Sequence, residues 1–139
     1  VSAVGNDGPK SGSVKSPGSS GRIITVGCAD TRNDEISIAD FSSRGPIFDF
    51  IKPDLVAPGV EITSLSNSTA FYTSMSGTSV STPFVAGVAA LLLQQNPQLT
   101  PNDIKSILLA SATQLPFDSN ACGAGLVDAK KSSMLANKI

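Results

Sequence analysis

Apolar positions come in short clusters over the first half of the chain and in longer runs over the second. Val1 to Asn6 reads as a short strand running into the turn Gly5-Asn6-Asp7-Gly8-Pro9, and a polar Gly/Ser/Pro/Lys loop follows from Lys10 to Arg22. Ile23-Ile24-Thr25-Val26 is a β-branched run of the kind that forms a buried strand, and Gly27 is expected to stop it. Thr31 to Glu35 is a polar turn, and Phe41-Ser42-Ser43-Arg44-Gly45-Pro46 is a compact loop. Leu55-Val56-Ala57-Pro58-Gly59 predicts a second short strand, and Val60 to Leu65 an extended segment. Phe71-Tyr72 then precedes a loop rich in hydroxyls, Ser76-Gly77-Thr78-Ser79-Val80-Ser81-Thr82.

Helical spacing dominates the remainder. Pro83 marks a helix start, and Phe84 to Gln95 continues with good helix formers until Asn96-Pro97 ends it. Apolar residues surround this helix rather than forming a stripe, which predicts burial at the domain centre. A second helix begins at Thr100-Pro101-Asn102-Asp103, with threonine as cap, proline at the first position and an acid at the third. Its inner face is Ile104, Ile107, Leu108 and Ser111. Gly123 to Val127 predicts a tight turn into a small strand or a last short helix. Strands first and helices late define an α/β domain covering residues 1–139.

Composition narrows the function classes. The 139 residues are 40 % hydrophobic, enough for one core, but only 15 % charged, with a net charge of −1. No basic stripe invites nucleic acid or an anionic membrane, and the longest apolar run, Pro83 to Leu93, falls short of the roughly 20 residues that cross a bilayer. Two cysteines without any histidine are too few ligands for a zinc site, and no carboxylate cluster resembles a calcium loop. No metal or cofactor is therefore expected. Cys28 and Cys122 read as small buried hydrophobes, with a disulfide between them left open.

The hydroxyl-rich loop carries the candidate chemistry. A serine attacks well only with a base beside it and donors for the oxyanion that it creates. Ser79, just ahead of a helix, would have free backbone N–H groups and the positive end of the helix dipole close by. Gly77 would let a substrate backbone approach. The plain alternative is that Ser79, Ser81 or Thr82 merely caps the helix.

The wider sequence favours the nucleophile. Gly77-Thr78-Ser79-Val80-Ser81-Thr82-Pro83, followed by Val85-Ala86-Gly87, resembles the nucleophile segment of the subtilisin-like serine proteases. Ser2-Ala3-Val4-Gly5-Asn6-Asp7-Gly8 is similar to that family's oxyanion-asparagine segment. Phe41-Ser42-Ser43-Arg44-Gly45-Pro46, Lys52-Pro53-Asp54-Leu55-Val56-Ala57-Pro58-Gly59 and Gly123-Ala124-Gly125-Leu126-Val127-Asp128-Ala129 match three further family elements in the same order. One departure is Phe84, where many relatives carry histidine.

The resemblance implies the C-terminal half of a parallel-sheet, three-layer α/β/α domain. It implies that Ser79 is acylated and that Asn6 and the Ser79 N–H bind the oxyanion. Thr78 would support that loop. Ala3, Val4 and Gly5 would wall the pocket for the residue before the scissile bond, with Lys15, Ser16 and Pro17 opposite; an inward Lys15 would favour acidic side chains. The family's triad runs Asp, His, Ser along the chain, so both partners of Ser79 are expected N-terminal to Val1. Asp7, Asp30, Asp40 and Asp54 are read as solvated or capping carboxylates, not as substitutes. Expected partners are a peptide or protein substrate, the N-terminal part of the same protease, and a second copy meeting an exposed sheet edge. Family membership implies an extracellular or cell-surface location. Two alternatives stand: a catalytically silent relative that binds or regulates peptides, and a purely structural α/β module.

Overall fold

A computed structural model describes residues 1–68 and 71–138. The central strand is β2 (Thr25–Asp30). β1 (Ser2–Ala3) runs parallel to it, pairing Ser2 with Thr25 and Ala3 with Val26. β3 (Ser37–Ile38) is antiparallel along the same edge, and β4 (Leu55–Pro58) is parallel along the other, with Val26 opposite Leu55. Gly27 does not stop β2; it lies inside it. A Cβ there would come within 2.9 Å of Pro53 Cγ and 3.0 Å of Val56 Cγ1, so the glycine lets neighbouring chain pack against the strand. The first strand is correspondingly shorter than expected from Val1 to Asn6.

Alternation along the strands sorts their side chains onto two faces. Ile24, Val26, Leu55 and Ala57 pack under α1 (Thr78–Gln95), α2 (Pro101–Ser111) and α4 (Ala129–Ala136), together with Val85, Val88, Leu92, Ile104, Ile107 and Leu108. Ala29, Ile38 and Val56 face the other way, against Ala121 and Cys122 of the single-turn α3 (Ser119–Cys122). Leu126 bridges to both Val56 and Thr113, which ties the closing turn to the sheet. The result is a mixed α/β fold with helices on one face and a thin irregular layer on the other.

Helix α1 departs from the sequence expectation twice. It begins at Thr78, not near Pro83, which sits inside it. Pro83 forfeits only the bond to the carbonyl four residues back, so the first turn survives ahead of it. The helix is also not enclosed. Thr78, Ser81, Val85, Val88 and Leu92 form one buried stripe at helical spacing, whereas Phe84, Leu91 and Leu93 stand 40–57 % exposed. Sheet and helices cover only one side of it in this chain. A second strand pair, β5 (Ile62–Leu65) and β6 (Tyr72–Met75), was only half visible in the sequence; it is an antiparallel hairpin with Ile62 opposite Met75.

The start of α2 matches its sequence signature. Thr100 Oγ1 accepts from the Asp103 N–H at 3.2 Å, and an Asp103 carboxylate oxygen accepts from the Thr100 N–H at 2.9 Å. Hydrogen bonds from Thr100 hold the Asp103 carboxyl below the usual carboxylate range. A depressed folded-state value means that the cap stabilises fully above the unfolded value and loses its contribution as pH falls through the folded one. Thermal unfolding of the full-length protein between about pH 5 and pH 2 should therefore show an acid-dependent loss, smaller in Asp103→Asn.

Candidate active site

The first turn of α1 is delivered to the sheet by the chain that precedes it. After β4, Gly59 turns the backbone into the β5–β6 hairpin, which returns at Ser76-Gly77. The hairpin base is closed by Gly77 N–H donating to Gly59 O at 2.8 Å and Glu61 N–H donating to Ser76 Oγ at 2.8 Å. A Cβ on Gly59 would collide with Ser81 Oγ and lie 2.7 Å from Cys28 Sγ, so only glycine lets this turn sit beneath the helix. Both Cys28 and Cys122 are free and buried, and burial pushes each thiol above its ordinary value. The disulfide left open by the sequence is not formed.

Ser79 is the second residue of α1 and is solvent-exposed. N–H groups in a first helical turn have no carbonyl four residues back. Two of those in this turn, at Thr78 and Val80, are occupied, and Ser81 makes the first regular helical bond. Thr78 N–H donates to Asn6 Oδ1 at 3.0 Å, and Val80 and Ser81 donate to Gly77 O at 3.0 and 3.2 Å. The Ser79 N–H makes no such bond among the described residues.

Asn6 comes from the turn after β1. Its Oδ1 accepts from both Thr78 N–H and Thr78 Oγ1, at 3.0 and 2.9 Å. Two donors on one oxygen fix which way the amide faces, and they leave Nδ2 directed away from Thr78. A Cβ placed on Gly77 would lie 3.7 Å from Asn6 Nδ2 and 3.8 Å from Ser79 N. Two N–H donors thus flank the space over this glycine, whose φ of 150° leaves that side of the backbone bare. Thr78 is buried, and both its N–H and its Oγ1 donate to Asn6 Oδ1.

The Asn6 turn is braced from below. Gly5, at φ 110°, directs its carbonyl to Ser43 N–H at 2.9 Å, and Ser43 Oγ accepts from Asp7 N–H at 3.0 Å. Ser42 Oγ accepts from Cys28 N–H at 3.0 Å, which anchors the same loop to β2. Both serines are fully buried. Their bracing role was missed from sequence, where a serine pair in a Gly-Pro loop gives no sign of which backbone it will meet. Val4 is buried and Ala3 half-buried beside this turn, with Val4 N–H donating to Val26 O at 2.9 Å.

On the other flank of Ser79 lies a cleft of about 510 Å³ lined by Ile62, Leu65, Met75, Val80, Pro83 and Phe84. Among the described residues no group of three or more His, Cys, Asp and Glu is placed to hold a metal ion. Asp54 corrects the reading of the aspartates as solvated or capping. It is nearly buried and bridges Lys52 Nζ at 2.8 Å and Lys105 Nζ at 3.0 Å. Lys52 also donates to Thr25 Oγ1 at 2.9 Å, and burial pushes its ammonium below the ordinary lysine value despite Asp54. This cluster joins β2, β4 and α2 and does not face Ser79.

A subtilase (peptidase S8) family model matches residues 1–125. Serine protease AprX of Bacillus subtilis strain 168 is 44 % identical over 94 % of this chain and 34 % of its own length. Subtilisin Savinase of Lederbergia lenta is 35 % identical over 96 % of this chain and 45 % of its own. Among solved structures, the Clostridium perfringens CspB protease superposes with a TM-score of 0.82 at 29 % identity, covering 93 % of this chain and 30 % of that one. The chain thus spans between 30 % and 45 % of the length of these relatives.

Proposed function

The chain belongs to the subtilase family of serine peptidases, and on that footing we propose that it carries the nucleophile and oxyanion half of a peptide-bond-cleaving active site. Ser79 Oγ attacks the scissile carbonyl and is acylated. Asn6 Nδ2 and the Ser79 N–H receive the oxyanion, and the α1 dipole adds to their pull. The observation that carries this reading is the placement of those two donors on either side of Gly77, with the Asn6 amide locked by Thr78. Ala3, Val4 and Gly5 wall the pocket for the residue before the scissile bond.

The proton acceptor is a histidine, oriented by an aspartate, on polypeptide N-terminal to Val1. The uncharged cleft beside Ser79, with Pro83 and half-exposed Phe84, is a suitable seat for that polypeptide, because an apolar face of this kind is stabilised by being covered. Residues 1–139 alone are then inactive, and they pair through this face and the sheet edge at β1 with the N-terminal part of the protease, or with a second copy. An extracellular or cell-surface location follows from the family alone; among the described residues no helix is long and apolar enough to cross a membrane.

The test is a fluorophosphonate probe on the full-length protein. Labelling should be complete in the parent and absent in Ser79→Ala, with both folded by circular dichroism. A folded parent that stays unlabelled and cleaves no peptide fails the reading and supports instead a silent, peptide-binding relative.

A further inference from the structure

A polar cleft of about 220 Å³ opens between the loop after β3 and the single turn α3. Pro9, Ser11, Arg44, Asp118 and Asn120 line it, and it shares no residue with the cleft beside Ser79. Two of its side-chain atoms are enclosed yet unpaired: neither Arg44 Nε nor Asn120 Oδ1 has a hydrogen-bond partner. Enclosed polar atoms are nearly always paired in folded proteins, because leaving one without a partner is costly. These two have opposite needs. The guanidinium requires an acceptor, and the carboxamide oxygen requires a donor.

Both residues are anchored by their backbones. Arg44 N–H donates to Ser13 Oγ at 3.0 Å, and Arg44 O accepts from Ser13 N–H at 2.9 Å. Asn120 O accepts from Gly45 N–H at 3.0 Å, and a Cβ on Gly45 would lie 3.0 Å from Asn120 Oδ1, so the amide packs on that glycine. Asp118 Oδ1 accepts from Asn120 N–H at 2.6 Å, which holds the carboxylate beside the amide. Among the described residues neither Arg44 nor Asp118 forms an ion pair, with the other or with any third group.

The cleft thus holds a positive and a negative group that do not neutralise each other, and one orphaned donor with one orphaned acceptor. A simple anion would pair Arg44 but be repelled by Asp118 and leave Asn120 Oδ1 unmet. A simple cation would leave Arg44 Nε unmet. A zwitterion satisfies all of them. The volume lies below the roughly 300–1,000 Å³ of sites for drug-sized ligands, which restricts the occupant to a few atoms. We propose that this cleft binds a small free amino acid. Its carboxylate accepts from the Arg44 guanidinium, and its ammonium donates to Asn120 Oδ1 and Asp118.

The test is an NMR titration of glycine into the full-length protein carrying Ser79→Ala, which removes the proposed nucleophile. The arginine Nε–H and asparagine side-chain amide resonances are followed. The Arg44 and Asn120 signals should move saturably, with a dissociation constant on the order of 1–10 mM for so small a ligand. Acetate and methylammonium, with one charge each, should bind at least about fivefold more weakly. Adding Arg44→Met should abolish the Asn120 response. Adding Asp118→Asn, which keeps a capping side chain at α3, should weaken glycine by about two- to fivefold. Circular dichroism checks that both variants fold. Glycine binding no tighter than acetate or methylammonium, or an Asn120 response that survives Arg44→Met, overturns the assignment. So does the lack of any saturable shift up to about 0.1 M glycine, which would mean that water or polypeptide outside residues 1–139 pairs these atoms.

Discussion

With Asn6 as the proposed oxyanion donor, Asn6→Ala should lower kcat of the full-length protein by about 10²–10³-fold, the loss that removing the oxyanion asparagine causes in subtilisin. The reason here is geometric. A Cβ on Gly77 would lie 3.7 Å from Asn6 Nδ2 and 3.8 Å from Ser79 N, so removing the amide would leave one donor at the proposed oxyanion position. The donor acts on the transition state more than on the ground-state carbonyl, so KM should barely move. Thr78→Val separates positioning from donation. It keeps the Asn6 side chain but removes the Thr78 Oγ1 donor that helps fix the Asn6 amide, so it should cost less than Asn6→Ala, and Thr78→Ser should recover most of the loss. Steady-state kinetics on the three variants checks this. An Asn6→Ala enzyme that lost binding but kept turnover would contradict the assignment.

Asp54→Ala is expected to be the most damaging single change to stability away from the site. Asp54 is the carboxylate shared by Lys52 and Lys105, and Lys52 is among the most buried side chains of the protein. Taking one partner from a buried ion pair leaves an uncompensated charge and costs about 3–5 kcal/mol. That is a large share of the roughly 5–15 kcal/mol by which a domain is stable. Urea unfolding of the full-length protein should show the loss as a lowered midpoint with the slope unchanged. Lys52→Met should cost less, because Asp54 keeps Lys105 at 3.0 Å and the buried ammonium is gone. The reverse order would mean that the lysine stem, not the carboxylate, holds β2, β4 and α2 together.

Much of this is legible in the amino-acid sequence. Thr100-Pro101-Asn102-Asp103 produced a reciprocal cap because that chemistry is local, four residues long and independent of its surroundings. The inner face of α2 followed from spacing alone: Ile104, Ile107, Leu108 and Ser111 are all buried. α1 starts before Pro83, because the first turn can form ahead of a proline once Gly77 is tied to Gly59. Gly27 lies inside β2 and not at its end; a strand glycine looks the same in sequence whether it ends a strand or makes room for Pro53 and Val56. The returning strand Tyr72–Met75 was missed since Tyr-Thr-Ser-Met has no clear alternation and is fixed by pairing with Ile62–Leu65.

The sequence by itself determined the residue types and their order: a serine two positions after a glycine, an asparagine far upstream, and turns with the chemistry to expose both. It also determined the α/β class, since strand-length and helix-length apolar runs are properties of the local chain. Only the tertiary structure decided that Asn6 reaches across 72 positions to accept from Thr78 and so leaves its amide nitrogen beside the space over Gly77. It alone decided that Lys15 lies on Gly5 and that Asp54 is buried between two ammonium groups rather than solvated. The physical reason is common to all three. A hydrogen bond or ion pair between distant residues depends on how sheet and helix pack, and nothing in either local segment encodes the other's position.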